Sequence, residues 1–181
     1  MRVITGSAKG IKLEELSGND VRPTTDRIKE AIFSIVQFQI QGRKFLDLFG
    51  GSGQMGIEAL SRGASQAIIV DSSKSSIDII RRNLAKTNLS ENARVVNMDS
   101  IVFLKGNNDT FDLAFLDPPY GKGLLQKALP MVERVMNTGG TIICECPVDE
   151  VLPEELEGFQ IYKQYKYGKI MITAYQHKDV T

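Results

Sequence analysis

Four consecutive residues, Asp117-Pro118-Pro119-Tyr120, bring together a carboxylate, two prolines and an aromatic ring. They follow the apolar run Phe111 to Leu116, which reads as a buried strand, so they open the loop at its carboxyl end. In an open α/β sheet that is where ligands bind. Two consecutive prolines fix φ at about −65° and remove two backbone donors. The Asp117 carboxylate and the Pro118 carbonyl are left as acceptors with no local donor. A tyrosine beside the bend can turn its ring face to a flat, electron-poor group or to a sulfonium cation. Such a corner suits a planar base with an exocyclic amine. Taken alone, the tetrapeptide fits equally a plain turn in which proline ends the strand and Asp caps a helix. The rest of the chain separates the two readings.

A second cluster lies upstream. Arg43 to Phe49 reads as the first core strand and is followed by Gly50-Gly51-Ser52-Gly53-Gln54-Met55-Gly56 and a helix from Ile57 to Arg62. Gly51, Gly53 and Gly56 match G-x-G-x-x-G, a spacing that allows a tight turn and lets a ligand approach backbone amides at a helix N-terminus. Twenty residues after Gly51, closing the strand Ala67 to Val70, stands Asp71, placed to accept from two ribose hydroxyls. Strand, glycine loop, helix, strand and acid in that order favour a nucleoside-bearing cofactor over a structural turn. Asp47, on the strand before the loop, would repel a pyrophosphate but could hold the ammonium of a methionyl group. A dinucleotide is disfavoured on that ground, and also because the chain has no room for the catalytic domain a dehydrogenase adds.

The remaining elements are those that must position these groups. Met1 to Leu13 predicts a small hairpin carrying Arg2, Lys9 and Lys12. Arg22-Pro23-Thr24-Thr25-Asp26-Arg27 leads into a helix with Thr24 or Thr25 as N-cap and Ile28, Ile32, Ile35 and Val36 on one face. A helix from about Lys74 to Lys86, a strand Ala93 to Asn97 ending near Asp99, and a strand Thr141 to Cys146 follow. Phe159 to Tyr162 and Lys169 to Tyr175 read as an antiparallel hairpin. The expected fold is therefore α/β, a Rossmann-like and mostly parallel sheet with an antiparallel C-terminal hairpin, preceded by a small N-terminal hairpin and helix.

Composition excludes several classes. At 181 residues, 42% hydrophobic and 24% charged, the chain suits one globular domain. No apolar stretch approaches the roughly 20 residues of a membrane span, and Met1 to Gly6 turns polar before a signal-peptide core can form. A soluble, cytoplasmic monomer is expected. Cys144 and Cys146 lie two apart on a strand, share a face and cannot form an ordinary disulfide, which suits buried thiols in a reducing compartment. His177, the only histidine, is read as a surface residue without a partner, and a zinc site is not expected. Net charge is zero but uneven: Met1 to Lys44 holds eight Lys/Arg against five Asp/Glu, and Phe159 to Lys178 holds four Lys and no acid. Basic ends could bind a polyanion, although a solvated lysine face explains them as well.

Leu46-Asp47-Leu48-Phe49-Gly50-Gly51-Ser52-Gly53, Asp71, Asp99 and the prolyl tetrapeptide together resemble motifs I to IV of class I S-adenosylmethionine-dependent methyltransferases acting on exocyclic amines. Glu58-Ala59-Leu60-Ser61-Arg62-Gly63-Ala64, Arg22 to Arg27 and Tyr167-Gly168-Lys169 narrow the resemblance to the RsmD family, enzymes that methylate guanine N2 of small-subunit (16S) ribosomal RNA. The resemblance runs from about Arg2 to Tyr175. Two residues depart from the family pattern: Gly50 replaces an alanine and Asp71 a glutamate. The resemblance implies S-adenosylmethionine as cofactor, with Asp47 and the amides of Gly51, Ser52 and Gly53 holding the methionyl end and Gly50 in the same cofactor-binding loop. It further implies Asp71 on the ribose hydroxyls, Asp99 on the adenine amine, and Phe49 and Tyr120 flanking the sulfonium. Asp117, Pro118, Pro119 and Tyr120 would then be catalytic. Lys9, Lys12, Arg22, Thr24 and Arg27 are the substrate-binding candidates, on ribosomal RNA or a partly assembled small subunit. In this reading residues 1–181 form one methyltransferase domain, 1–41 an RNA-contacting extension and 42–181 the cofactor-binding and catalytic core. Methylation of adenine N6 in DNA or RNA, or less readily an NAD-binding module, are the alternatives.

Overall fold

A computed structural model describes residues 1–18 and 24–179. Among these described residues seven strands form a single sheet in the order β3-β2-β1-β4-β5-β7-β6. β1 (Lys44–Asp47), β2 (Gln66–Asp71), β3 (Ala93–Asn97), β4 (Phe111–Leu116) and β5 (Met136–Pro147) run parallel. β6 (Phe159–Tyr167) and β7 (Ile170–His177) form the antiparallel hairpin that closes one edge. The order reverses between β1 and β4, which opens a crevice above the carboxyl ends of those two strands.

Side-chain alternation assigns the helices to two layers. Phe45, Leu113, Phe115 and Ile143 face one apolar cluster with α1 (Asp26–Ile35), α2 (Gln54–Ser61) and α3 (Lys74–Thr87). Leu46, Leu48, Ala114, Leu116, Ile142 and Cys144 face the other, with α4 (Ser100–Gly106) and α5 (Leu124–Val132). Both cysteines are unpaired and buried on that second face. Among the described residues no helix is long and apolar enough to cross a membrane.

Several boundaries differ from the sequence reading. α2 begins at Gln54, three residues early, because Gly53 at φ 82° is its N-cap and its left-handed backbone turns the chain into the helix. β5 begins at Met136, not Thr141, since Met136 pairs with Phe111 before a register shift. Thr25 caps α1, accepting from the Ile28 N–H. The N-terminal hairpin is reduced to one bridge, Arg2 with Lys12, flanked by bonds from Val3 N to Ile11 O and from Leu13 N to Met1 O. His177, expected bare at the surface, is half-buried with its ring edge-on to Phe159.

The N-terminal segment is pinned to the core by a buried ionic cluster that the sequence reading did not single out. Lys29 on α1 is fully buried, with Nζ 2.8 Å from the Arg2 carbonyl and 3.3 Å from Glu58 on α2. Glu58 also accepts from the Ile4 and Thr5 N–H groups and from Arg62. A buried charge persists only when it is paired and hydrogen-bonded in this way.

Candidate active site

Three carboxylates rise from adjacent strands on one face of the sheet. Phe45 and Phe115 belong to the first apolar cluster, so Asp47 and Asp117, two residues further along each strand, point the same way. Ile143 belongs there too, which places Glu145 on that face. Because Leu116 pairs with Cys144, Asp117 and Glu145 are neighbours at the next level of the sheet. Above them opens a cavity of about 1130 Å³.

Most of the residues singled out from sequence line this cavity. Asp47, Phe49, Gly50, Gly51 and Ser52 form one wall and Asp71 and Asp99 another. Asp117, Pro118, Pro119 and Tyr120 form a third, where Thr24 is also present. Gly53 sits behind the lining as the α2 cap. The basic candidates are not gathered there. Lys9 is exposed on the N-terminal turn, and Lys12 borders a separate shallow depression with Glu15 and Lys86. Arg27 stacks over the Tyr167 ring at 5.6 Å. Arg22 lies outside the described residues.

The glycine loop is shaped by Asp71. One carboxylate oxygen accepts from the Gly51 N–H at 2.9 Å and the other from the Ser73 N–H at 2.9 Å. Gly51 has φ 59°, which a side chain would strain. At Gly50 an added Cβ would lie 2.5 Å from Ile69 Cγ2. The glycine standing where the family pattern has alanine is therefore matched to a bulky neighbour on β2. Asp99 is more than a free acceptor: it caps α4, with Oδ1 accepting from the Ile101 and Val102 N–H groups.

Asp47 is 1% exposed, and its Oδ2 accepts from the Gly56 N–H at 3.1 Å. Burial, opposed by that bond and reinforced by the Asp71 carboxylate, raises its pKa to about 7. Its Oδ1 and the Oε1 of Gln54 are buried acceptors without a hydrogen-bond partner among the described residues. Two such acceptors at a cavity wall ask for donors, and an ammonium supplies three. These residues therefore fit the methionyl end of S-adenosylmethionine. Gln54 was missed because a polar residue at a helix start is unremarkable in sequence.

Glu145 was missed as well. It is 3% exposed and accepts from the Thr24 hydroxyl at 3.1 Å. Burial raises its pKa against that bond. Burial likewise raises that of Asp117 well above the usual carboxylate range, and the carboxylates of Glu145 and then Asp47 add to it. The available signal was an acid in the otherwise apolar run Thr141 to Cys146.

A doubly wound sheet whose crevice gathers these acids, a glycine loop and a prolyl corner defines a Rossmann-like class I methyltransferase. An RNA methyltransferase from Salinibacter ruber, solved with S-adenosyl-L-homocysteine, shares the fold at TM-score 0.69 and 10% identity over 88% of this chain and 96% of that one. Residues 1–176 match the family described as Conserved hypothetical protein 95, and the chain belongs to that family. It is 32% identical over 180 residues to the Escherichia coli ribosomal RNA small subunit methyltransferase D, covering 98% of this chain and 90% of that protein. The solved structure of the Escherichia coli protein yhhF superposes with TM-score 0.86 at 31% identity, covering 98% of this chain and 97% of that one.

Proposed function

We propose that this protein transfers a methyl group from S-adenosylmethionine to the exocyclic N2 of a guanine in small-subunit ribosomal RNA. The observation that carries the reading is Asp117 at the cavity wall, backed by Pro118 and beside the orphaned acceptors of Asp47 and Gln54. Family membership and the 32% identity to a small-subunit ribosomal RNA methyltransferase support the same substrate class. When bound, S-adenosylmethionine would supply an electrophilic methyl carbon on a sulfonium, with the neutral thioether as the leaving group for attack by a nitrogen lone pair.

Within this proposal each residue has a role. Asp47, with Gln54, holds the methionyl ammonium, and the loop from Gly50 to Gly53 leaves room for the chain behind it. Asp71 offers its remaining lone pairs to the ribose hydroxyls, and Asp99 accepts from the adenine amine. Phe49 and Tyr120 flank the sulfonium. The target amine donates to Asp117 and to the Pro118 carbonyl, which favours a pyramidal nitrogen and aims its lone pair. Orientation contributes most of the rate. As the new N–C bond forms, N2 becomes cationic and sheds a proton. Asp117, made more basic by burial and by Glu145, receives that proton and passes it to solvent.

A carboxylate at 117 can accept from both N1–H and N2–H of guanine, whereas adenine sets its N1 lone pair against it. Two facing donors also stabilise the ionised form of Asp117. Methylation of adenine N6 is not favoured for that reason, and an NAD-binding module is not favoured because Asp47 opposes a pyrophosphate. The base must leave its stack to reach the cavity. Lys9, Lys12, Arg22 and Arg27 are assigned to RNA phosphates and Thr24 to the cavity rim, so residues 1–41 act as the RNA-contacting extension of a core at 42–181. A cytoplasmic monomer working on ribosomal RNA or a partly assembled small subunit completes the reading. Asp117→Ala is expected to abolish methyl transfer to ribosomal RNA while cofactor affinity stays within a few-fold; parallel loss of both would reduce Asp117 to a structural role.

A further inference from the structure

The edge strand β6 carries a surface that the proposed reaction leaves unused. β5, β7 and β6 are in register, so Glu145, Ile172 and Tyr165 form one row across three strands. The adjacent rows on that face are Pro147, Ile170, Tyr167 and Ile143, Ala174, Lys163. Directly paired residues share a face of the sheet, and so Lys163, Tyr165 and Tyr167 stand at period two on the face that bears Glu145. Asp117 heads the same row, since it follows Leu116, the partner of Cys144. Three strand spacings put Tyr165 about 14 Å from Asp117.

The stripe is aromatic, basic and open. Tyr165 is 39% exposed, and Lys163 and Lys169 are exposed. Arg27 packs over the Tyr167 ring, and the Lys163 ammonium lies 5.7 Å from the centre of the Tyr162 ring. Phe159 to Lys178 contains no acidic residue. Single-stranded nucleic acid is held by this combination: every base has a π face to stack on an aromatic ring, and lysines track the phosphates. We propose that the β6–β7 edge is a platform for the single-stranded RNA beside the target guanine. Tyr165 stacks a flanking base, Lys163 and Lys169 hold its phosphates, and Tyr167, braced by Arg27, forms the wall leading to the cavity. This inference rests on the RNA substrate proposed above.

The test is steady-state methyl transfer by the full chain to undermethylated small-subunit ribosomal RNA, free and in small-subunit particles. For Tyr165→Ala the KM for free RNA is expected to rise about fivefold or more, with kcat at saturating RNA and cofactor affinity unchanged. Tyr165→Phe is expected to restore the wild-type KM, because the ring stacks and the hydroxyl does not. Lys163→Gln combined with Lys169→Gln is expected to flatten the slope of log K against log salt by about 1.4. A wild-type KM in Tyr165→Ala, or a Tyr165→Phe as impaired as the alanine variant, would overturn the platform. An effect seen with particles and absent with free RNA would also overturn it, assigning the edge to a ribosomal protein. Failure of the wild-type chain itself to methylate ribosomal RNA would instead sink the RNA substrate, and the platform with it.

Discussion

Asp47 is held at a cost in the folded chain. Its pKa rises from 3.8 to about 7 on folding, chiefly through burial. Between those values the folded chain keeps a proton that the unfolded chain has released, so stability falls as pH rises through that window. Asp47→Asn removes the penalty and keeps an acceptor for the Gly56 N–H. Thermal or denaturant unfolding without cofactor is expected to show it more stable at pH 8 by up to about 4 kcal/mol, while cofactor binding is lost. Equal stability at pH 8 would contradict the penalty. Glu145, on β5, acts through its charge on the neighbouring Asp117. Its negative charge raises the Asp117 pKa, so Glu145→Gln, which keeps an acceptor for Thr24, is expected to move the acid limb of kcat/KM to lower pH. An unmoved limb would leave Glu145 with a packing role only. Asp47, Asp71 and Asp117 were legible in sequence because each ends a strand next to a recognisable loop. Gln54 and Glu145 were not, because their importance comes from burial and from neighbours distant in sequence.

At the scale of elements, the site depends on helices that set the loops in place. α2 presents its N-terminus to the cavity because Gly53 turns the chain, and α4 starts at Asp99 because the carboxylate caps it. α4 and α5 were not assigned from sequence, although the apolar residues Leu125, Ala128, Leu129 and Val132 fall at helical spacing. α4 is only seven residues long, and α5 follows Gly121 and Gly123 and carries Pro130 inside it, which blurs a periodic signal. The N-terminal segment depends on Glu58, which satisfies two backbone N–H groups, Arg62 and the buried Lys29 together. Burial, with a smaller push from the Arg62 charge, pulls the Lys29 pKa down, and Glu58 opposes it. Glu58→Ala strands that charge, and a loss of about 3–5 kcal/mol is expected in denaturant unfolding, with residues 1–18 becoming the first site of proteolysis. A loss below about 1 kcal/mol would show that the cluster merely decorates the interface.

For the whole molecule, the strand order places the acids proposed to hold cofactor and target amine at one end of the sheet. The reversal between β1 and β4 sets Asp47 beside Asp117, and β5 adds Glu145, so the sites proposed for cofactor and target share one crevice. The parallel core was legible from alternating apolar strands and the glycine loop. The place of α1 was not, since Thr24 just before it bonds to Glu145 and Arg27 on it packs over Tyr167, joining residues more than a hundred positions apart. The central claim is most directly tested by transfer of a tritiated methyl group from S-adenosylmethionine to undermethylated ribosomal RNA, followed by nucleoside analysis. Label in N2-methylguanosine is the predicted result. Label in N6-methyladenosine would keep the cofactor chemistry and contradict the guanine assignment, and no label from a chain that binds the cofactor would contradict the substrate itself.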